Sequence, residues 1–249
     1  MEVTLWQWTG LASACFGAGL LDAVAGGGGL LSLPALKWAG LPSALALGTN
    51  KLVAVNGSLV STLRYARAGL VRRDAAGLAI LSCSGGALGA STALRLPERI
   101  LHPALIILLI ASLAAVLWLQ AHPPRPRPAA AALPAWVWAG ALALGFYDGF
   151  FGPGTGTFLI AMLAAAGLGL EQASGSAKPL NFGSNLGALA VFAWRGSVLP
   201  WLGLSLIPFM VLGSWAGASL AVRRGAPVIR LFLVLAVLAI CAKLAWGLV

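Results

Sequence analysis

Apolar stretches of roughly 20 residues or more, enough for a helical crossing of a hydrocarbon layer about 30 Å thick, follow one another almost end to end in this chain. They lie at approximately 5–40, 43–66, 74–94 and 99–120, and again at 135–168, 171–194, 200–222 and 227–248. Inside lipid every backbone polar group must find a partner within the protein, which leaves helices or closed barrels. A barrel would show short segments of alternating polarity, whereas these runs are continuous and rich in Ala, Leu and Gly. The expected class is therefore all-α, a polytopic membrane protein. With 60% hydrophobic and 9% charged residues, against about a quarter charged in a soluble domain, the chain has too few charges to coat a water-facing surface. Its net charge of +10 does not point to nucleic acid, because the arginines sit in short connectors, as at Arg64, Arg67, Arg72 and Arg73. That is the pattern of cytoplasmic loops. The longest polar connector, His122 to Pro134, is Pro/Ala-rich and reads as a linker. Cys15, Cys83 and Cys241 lie in apolar segments without pairing or metal-ligand spacing, and the N-terminal stretch lacks the basic start of a cleaved signal peptide. His102 and His122 sit in or beside connectors and no Ser/His/Asp constellation is visible, so neither an enzyme nor a metal or other cofactor is expected.

The chain writes one motif twice. A shift of 127 positions places Gly27 on Gly154, Gly29 on Gly156, Gly40 on Gly167, Gly48 on Gly175, Lys51 on Lys178 and Gly69 on Gly196, while Asp22 and Asp148 match after a one-residue gap. The organisation read from this is a first repeat, 1–121, a linker, 122–134, and a second repeat, 135–249, each of four apolar segments. The first segment of each repeat is broken, by Gly26 to Gly29 and by Gly152, Pro153, Gly154 and Gly156. Paired interruptions of this kind point to a transporter binding site. Each break is either a kink in one crossing or a helical hairpin that enters and returns. Kinked crossings divide the connector charges seven against six, which orients nothing. Hairpins divide them nine against four, with Lys37, Arg95, Arg99 and Arg195 on the sparse side, in keeping with the positive-inside tendency. The hairpin reading leaves three crossings per repeat, so the two repeats would be inverted, with both termini outside.

A helix that restarts after a glycine break offers unpaired amide N–H groups and a partial positive charge to an anion. Gly27, Gly28 and Gly29 in one repeat, and Gly154, Thr155 and Gly156 in the other, are the expected cradle, with tight packing between helices as the competing use of the glycines. Lys51 and Lys178 lie about eight residues into their segments, roughly 12 Å deep. Charges at that depth mark a pathway or a partner. They are candidates to attract substrate, or else to pair internally with Asp22 and Asp148. Thr49, Asn50, Ser176 and Asn181, with Asn56 and Asn185 nearby, are candidate hydrogen-bond donors to oxygen, or polar glue between helices. Asp22 and Asp148 each precede a break, where burial and the helix dipole favour the protonated form, which makes them candidate proton-coupling groups.

At these residues the sequence resembles the sulfite exporter TauE/SafE family over nearly its whole length. The resemblance rests on Gly26-Gly-Gly-Gly29 followed by Pro34, on Ala46-Leu-Gly-Thr-Asn-Lys51, and on Ser176-Ala-Lys-Pro-Leu-Asn-Phe-Gly-Ser-Asn185. Gly154-Thr-Gly156 departs from the usual triple glycine. The resemblance implies export or uptake of sulfite, or of a related sulfur-containing organic anion such as a sulfonate, across a cell membrane of the bacterial inner-membrane type. It is compatible with a homo-oligomer. A channel built on the same breaks, and a membrane assembly protein that transports nothing, are the alternatives.

Overall fold

The computed structural model describes residues 4–121 and 133–225. Most of the expected linker, with His122, Arg125 and Arg127, and the last apolar segment, with Arg230 and Cys241, lie outside the described residues. The described residues form helices and no strand: α1 (Leu5–Ala25), α2 (Gly29–Trp38), α3 (Ser43–Arg67), α4 (Ala75–Ala93), α5 (Glu98–Ala121), α6 (Ala135–Phe150), α7 (Thr155–Ala165), α8 (Leu170–Trp194) and α9 (Pro200–Arg224). Three of these, α1, α4 and α9, are each long and apolar enough to cross a bilayer. The 25-residue α3 and α8 are lower in mean hydropathy because they carry lysines and asparagines, of which Asn50, Lys51, Lys178, Asn181 and Asn185 are buried inside the protein. Large apolar side chains such as Ile80, Leu88, Leu204 and Leu212 point outward instead, as expected where the solvent is hydrocarbon.

The two glycine breaks are hairpins. Helix α1 starts on a capping box between Thr4 and Gln7 and stops at Gly26, whose φ of 81° few side chains could adopt and whose N–H bonds the Asp22 carbonyl. The chain then reverses: Leu31 lies against Gly17 and the Trp38 ring against Gly10, so α2 runs back along α1. In the other half α6 ends at Phe150, α7 starts after Gly154 (φ 84°), and Met162 returns to Gly140.

Contacts between helices fix their directions. Helix α9 runs parallel to α1 (Phe16 at Gly213, Leu20 at Gly217) and to α3 (Leu52 at Gly203, Met210 at Gly57). Helix α4 runs parallel to α8 (Ala79 at Gly183, Cys83 at Gly187) and to α6 (Trp138 at Gly77, Phe146 at Gly85). Helices α3 and α8 run in opposite directions, with Gly48 beside Phe192 and Tyr65 bonded to Ser174. Two ends result. Arg64, Arg67, Arg72, Arg73, Arg223 and Arg224 gather at one, where α3 and α9 finish and α4, α6 and α8 start. Lys37, Arg95, Arg99 and Arg195 lie at the other. The α1/α2 hairpin enters from the sparse end and α6/α7 from the basic end, and their turns meet: a methyl added at Gly26 would strike the Gly156 backbone, and one at Gly29 would press on Pro153.

At the sparse end Glu98 closes the start of α3. Its carboxylate accepts from the Ser43 amide at 2.9 Å and the Ser43 hydroxyl at 2.6 Å, with Lys37 Nζ at 3.6 Å. Partial burial raises the carboxyl's proton affinity, but the two Ser43 bonds and the Lys37 charge together hold its pKa below the ordinary value.

Candidate functional site

Each half of the site is assembled from a hairpin turn and the helix of the opposite half. From the sparse end, α3 carries Lys51 inward until its Nζ reaches Asp148, on the last turn of α6, at 2.9 Å, and Asn185 of α8 at 3.0 Å. Both ionic side chains are almost wholly buried, at 1% and 4% exposure. Asp148 is held in turn by the Ser184 hydroxyl. From the basic end, α8 carries Lys178 inward, and its Nζ donates to the backbone carbonyl of Asp22 on the last turn of α1. The Asp22 carboxylate accepts from Asn181 Nδ2 at 3.2 Å, and the Asp22 side chain lies against Gly28 at the start of α2. The lysines thus reach across to the opposite half, one to a carboxylate and one to a carbonyl.

A cavity of about 30 Å³ lies between the turns, lined by Asp22, Gly28, Gly29, Asn50, Lys51, Asp148, Gly156, Asn181 and Asn185, with Gly26, Ser32, Ala54, Gly152 and Met210 completing the wall. It has room for about two waters. Ser32, one turn into α2, donates to Asn50 Oδ1 at 2.6 Å and fixes that side chain. Burying charges without partners costs several kcal/mol each, so each carboxylate and each lysine here has at least one polar partner.

Of the residues expected from the sequence, Asp22, Gly28, Gly29, Asn50, Lys51, Asp148, Gly156 and Asn181 line this cavity. Lys178 is buried beside it, on Asp22. The remaining ones serve the frame. Gly27 packs against Leu21 and Leu30, Gly154 caps α7, and Thr155 donates to Gly152 O at 2.7 Å to close the turn. Thr49 accepts from the Leu199 amide at 3.0 Å and Ser176 from the Arg72 amide at 3.1 Å, so both pin connectors rather than face the cavity. Asn56 bonds back to Leu52 O in its own helix. Gly28, expected to offer its amide to a ligand, lies against the Asp22 side chain. Ser32, Ala54, Ser184 and Met210 were not anticipated, and Gly152 was expected only as part of the break. Ser184 could have been, since it sits inside the Asn181 to Asn185 run of the second motif.

The family model for the sulfite exporter TauE/SafE matches residues 11–244. The chain belongs to the TauE/SafE family. It is 39% identical over 237 residues to the "Probable membrane transporter protein ORF9" of Sinorhizobium sp, covering 93% of this chain and 89% of that protein. A "Probable membrane transporter protein" of Haemophilus influenzae is 36% identical over 236 residues, with 93% and 91% covered. The "Probable membrane transporter protein YfcA" of Escherichia coli is 35% identical over 229 residues, with 91% and 85% covered. No solved structure matches the chain. As a TauE/SafE member this is a membrane transporter and not an enzyme, and its apolar helices place it in the membrane.

Proposed function

We propose that this TauE/SafE transporter moves a small oxyanion, sulfite or a related sulfur-containing organic anion, by alternating access, and that a proton travels with it. The observation that carries this reading is that the cavity's anion-binding groups are already occupied by carboxylates of the protein itself. Asp148 sits on Lys51, and Asp22 accepts from Asn181 beside Gly28. An entering oxyanion needs those same donors, and a carboxylate displaced from its cation inside a low-dielectric wall is strongly driven to take up a proton. Two lysines and two aspartates sum to zero, so a monovalent anion bound together with one proton leaves the site neutral both loaded and empty. Such a carrier crosses either way without carrying net charge, and the direction follows from the two gradients together.

Alternation is supported by the arrangement of the halves. We read residues 1–121 and 135–249 as inverted repeats joined by the linker at 122–134. The 127-position shift that aligns the sequence also maps the Leu199 bond to Thr49 onto the Arg72 bond to Ser176. It likewise maps the packing of Gly48 on Ser197 onto that of Gly175 on Leu70. Two like halves entering from opposite ends can exchange conformations, which opens the central site to one side and then the other. A cavity of about 30 Å³ at their junction suits an occluded step better than a continuous pore. The test is reconstitution into liposomes with a trapped pH dye and a panel of sulfite, sulfate, thiosulfate, sulfoacetate and lactate. Saturable uptake of one class with co-movement of protons is expected, lost in Lys51→Met. Flux that fails to saturate would assign a channel. Proton dependence unchanged in both Asp22→Asn and Asp148→Asn would end the coupling.

A further inference from the structure

We propose that the basic end carries a binding site for the phosphate of an acidic phospholipid, in the groove beside α9 where α3 comes alongside. The site is separate from the central cavity and does not depend on what the protein transports. Helices α3 and α9 run parallel and finish together, bringing Arg64 and Arg67 to the same end as Arg223 and Arg224. The Arg64 guanidinium lies over the Trp215 ring, 5.8 Å from its centroid, a cation–π contact that ties Arg64 of α3 to α9. Its Nε is buried and has no hydrogen-bond acceptor among the described residues. A buried guanidinium N–H without an acceptor is costly, so Arg64 gains from a side-chain shift that brings this N–H to an acceptor.

Trp215 also borders a groove of about 230 Å³ along α9, whose other lining residues are Ala216, Ser219, Leu220 and Arg223. Trp215, Ser219 and Arg223 recur every fourth residue, so one face of the helix presents an aromatic ring, then a small residue, then a cation. Trp215 is half exposed, as tryptophans are at the headgroup level of a membrane. The wall is apolar toward the middle of the bundle and cationic at the end, which matches an acyl chain below and a phosphate above. The charge at this end is also one-sided. Of its two described acidic residues, Asp74 is committed to Arg72 at 2.9 Å and Glu171 lies against Gly225 at the end of α9. Under the positive-inside rule this end faces the leaflet rich in anionic lipid, where each nearby arginine contributes about 1 kcal/mol to lipid binding.

A free phosphate ion offers the same chemistry, and the experiment separates the two sources. Full-length protein in neutral micelles is titrated with phosphatidylglycerol, with phosphatidylcholine, or with inorganic phosphate, following thermal stability and counting bound lipids by native mass spectrometry. One phosphatidylglycerol retained per chain is expected, with a rise in melting temperature that phosphatidylcholine and phosphate do not give. Arg64→Gln with Arg223→Gln should weaken that binding roughly 25-fold, while Arg95→Gln with Arg99→Gln at the other end should leave it unchanged. The proposal is overturned if both lipids act alike, if phosphate alone reproduces the stabilisation, or if the Arg64/Arg223 variant keeps the preference. Should that variant fold poorly, Trp215→Leu, which removes the stacking platform and no charge, must weaken the lipid preference in its place.

Discussion

Replacing the two members of the buried pair at the cavity, singly and together, is the most searching test of the proposed competition. Lys51 and Asp148 stand 2.9 Å apart, which corresponds to a gross attraction of about 6 kcal/mol at an effective dielectric of about 20. Desolvating both ions offsets most of that attraction. Removing one partner is far worse than removing both, because it strands a charge: each single variant should lose about 3–5 kcal/mol, and the double variant little. The assay is reversible unfolding of Lys51→Met, Asp148→Asn and the double variant in mixed micelles, with and without saturating anion. In Asp148→Asn the bare Lys51 is open to the substrate, and sulfite at a hundred times its dissociation constant should restore about 2.7 kcal/mol. Wild type should gain less, because the anion must first displace Asp148, and Lys51→Met should gain nothing. A coupling energy below about 0.5 kcal/mol, the level of independent sites, would show that the two charges do not rely on each other. Equal stabilisation of wild type and Asp148→Asn by sulfite would remove the basis for anion and carboxylate exchanging places.

Further outcomes follow from the surrounding structure. Gly26→Ala combines a φ of 81° with a collision against the Gly156 backbone and should cost more than about 3 kcal/mol, whereas Gly69→Ala, with a φ of 70° and open space around it, should cost only about 1–2 kcal/mol, both read from unfolding midpoints. Tyr65→Phe removes a buried hydroxyl that bonds Ala23 O and Ser174 Oγ at 3.1 Å each, and should lower stability by about 1–2 kcal/mol. Glu98 has a lowered pKa, so the folded state favours its ionised form. The stability it adds is complete above the ordinary value of 4.5 and disappears as pH falls through the lowered one. A stability difference between wild type and Glu98→Gln that persists at neutral pH and closes on acidification is therefore expected. Since Glu98 is half exposed, the difference should stay below about 1 kcal/mol.

The helical membrane class was legible because apolar length and charge scarcity are bulk properties that tertiary structure cannot reverse. The hairpins were legible only through charge counting, since Gly26 to Gly29 is equally compatible with a kink. What settles the matter is Trp38 lying on Gly10, a contact no local pattern encodes. The roles of Thr49 and Ser176 were misleading for a related reason. Hydroxyls within two residues of an intramembrane lysine look like ligand donors, but both accept from a connector amide, at Leu199 and Arg72, that needed an acceptor.

Least legible was the exchange of partners between halves. Asp22 precedes Lys51, and Asp148 precedes Lys178, by nearly the same interval, so the sequence invites pairing within each motif. The fold does the opposite, because a hairpin entering from one end delivers its turn to the lysine of the helix that starts at the other end. Lys51 therefore reaches Asp148, and Lys178 reaches the Asp22 carbonyl. The consequence is physical rather than topological. A half-chain on its own would bury a lysine near mid-membrane with neither of these partners, at a cost no single hydrogen bond offsets. Residues 1–121 and 135–249 expressed separately should accordingly be degraded, and expressed together they should recover one folded, cavity-bearing protein. Stable accumulation of either half alone would show that the lysines find partners within their own half, and that the crossed pairs are dispensable to the fold.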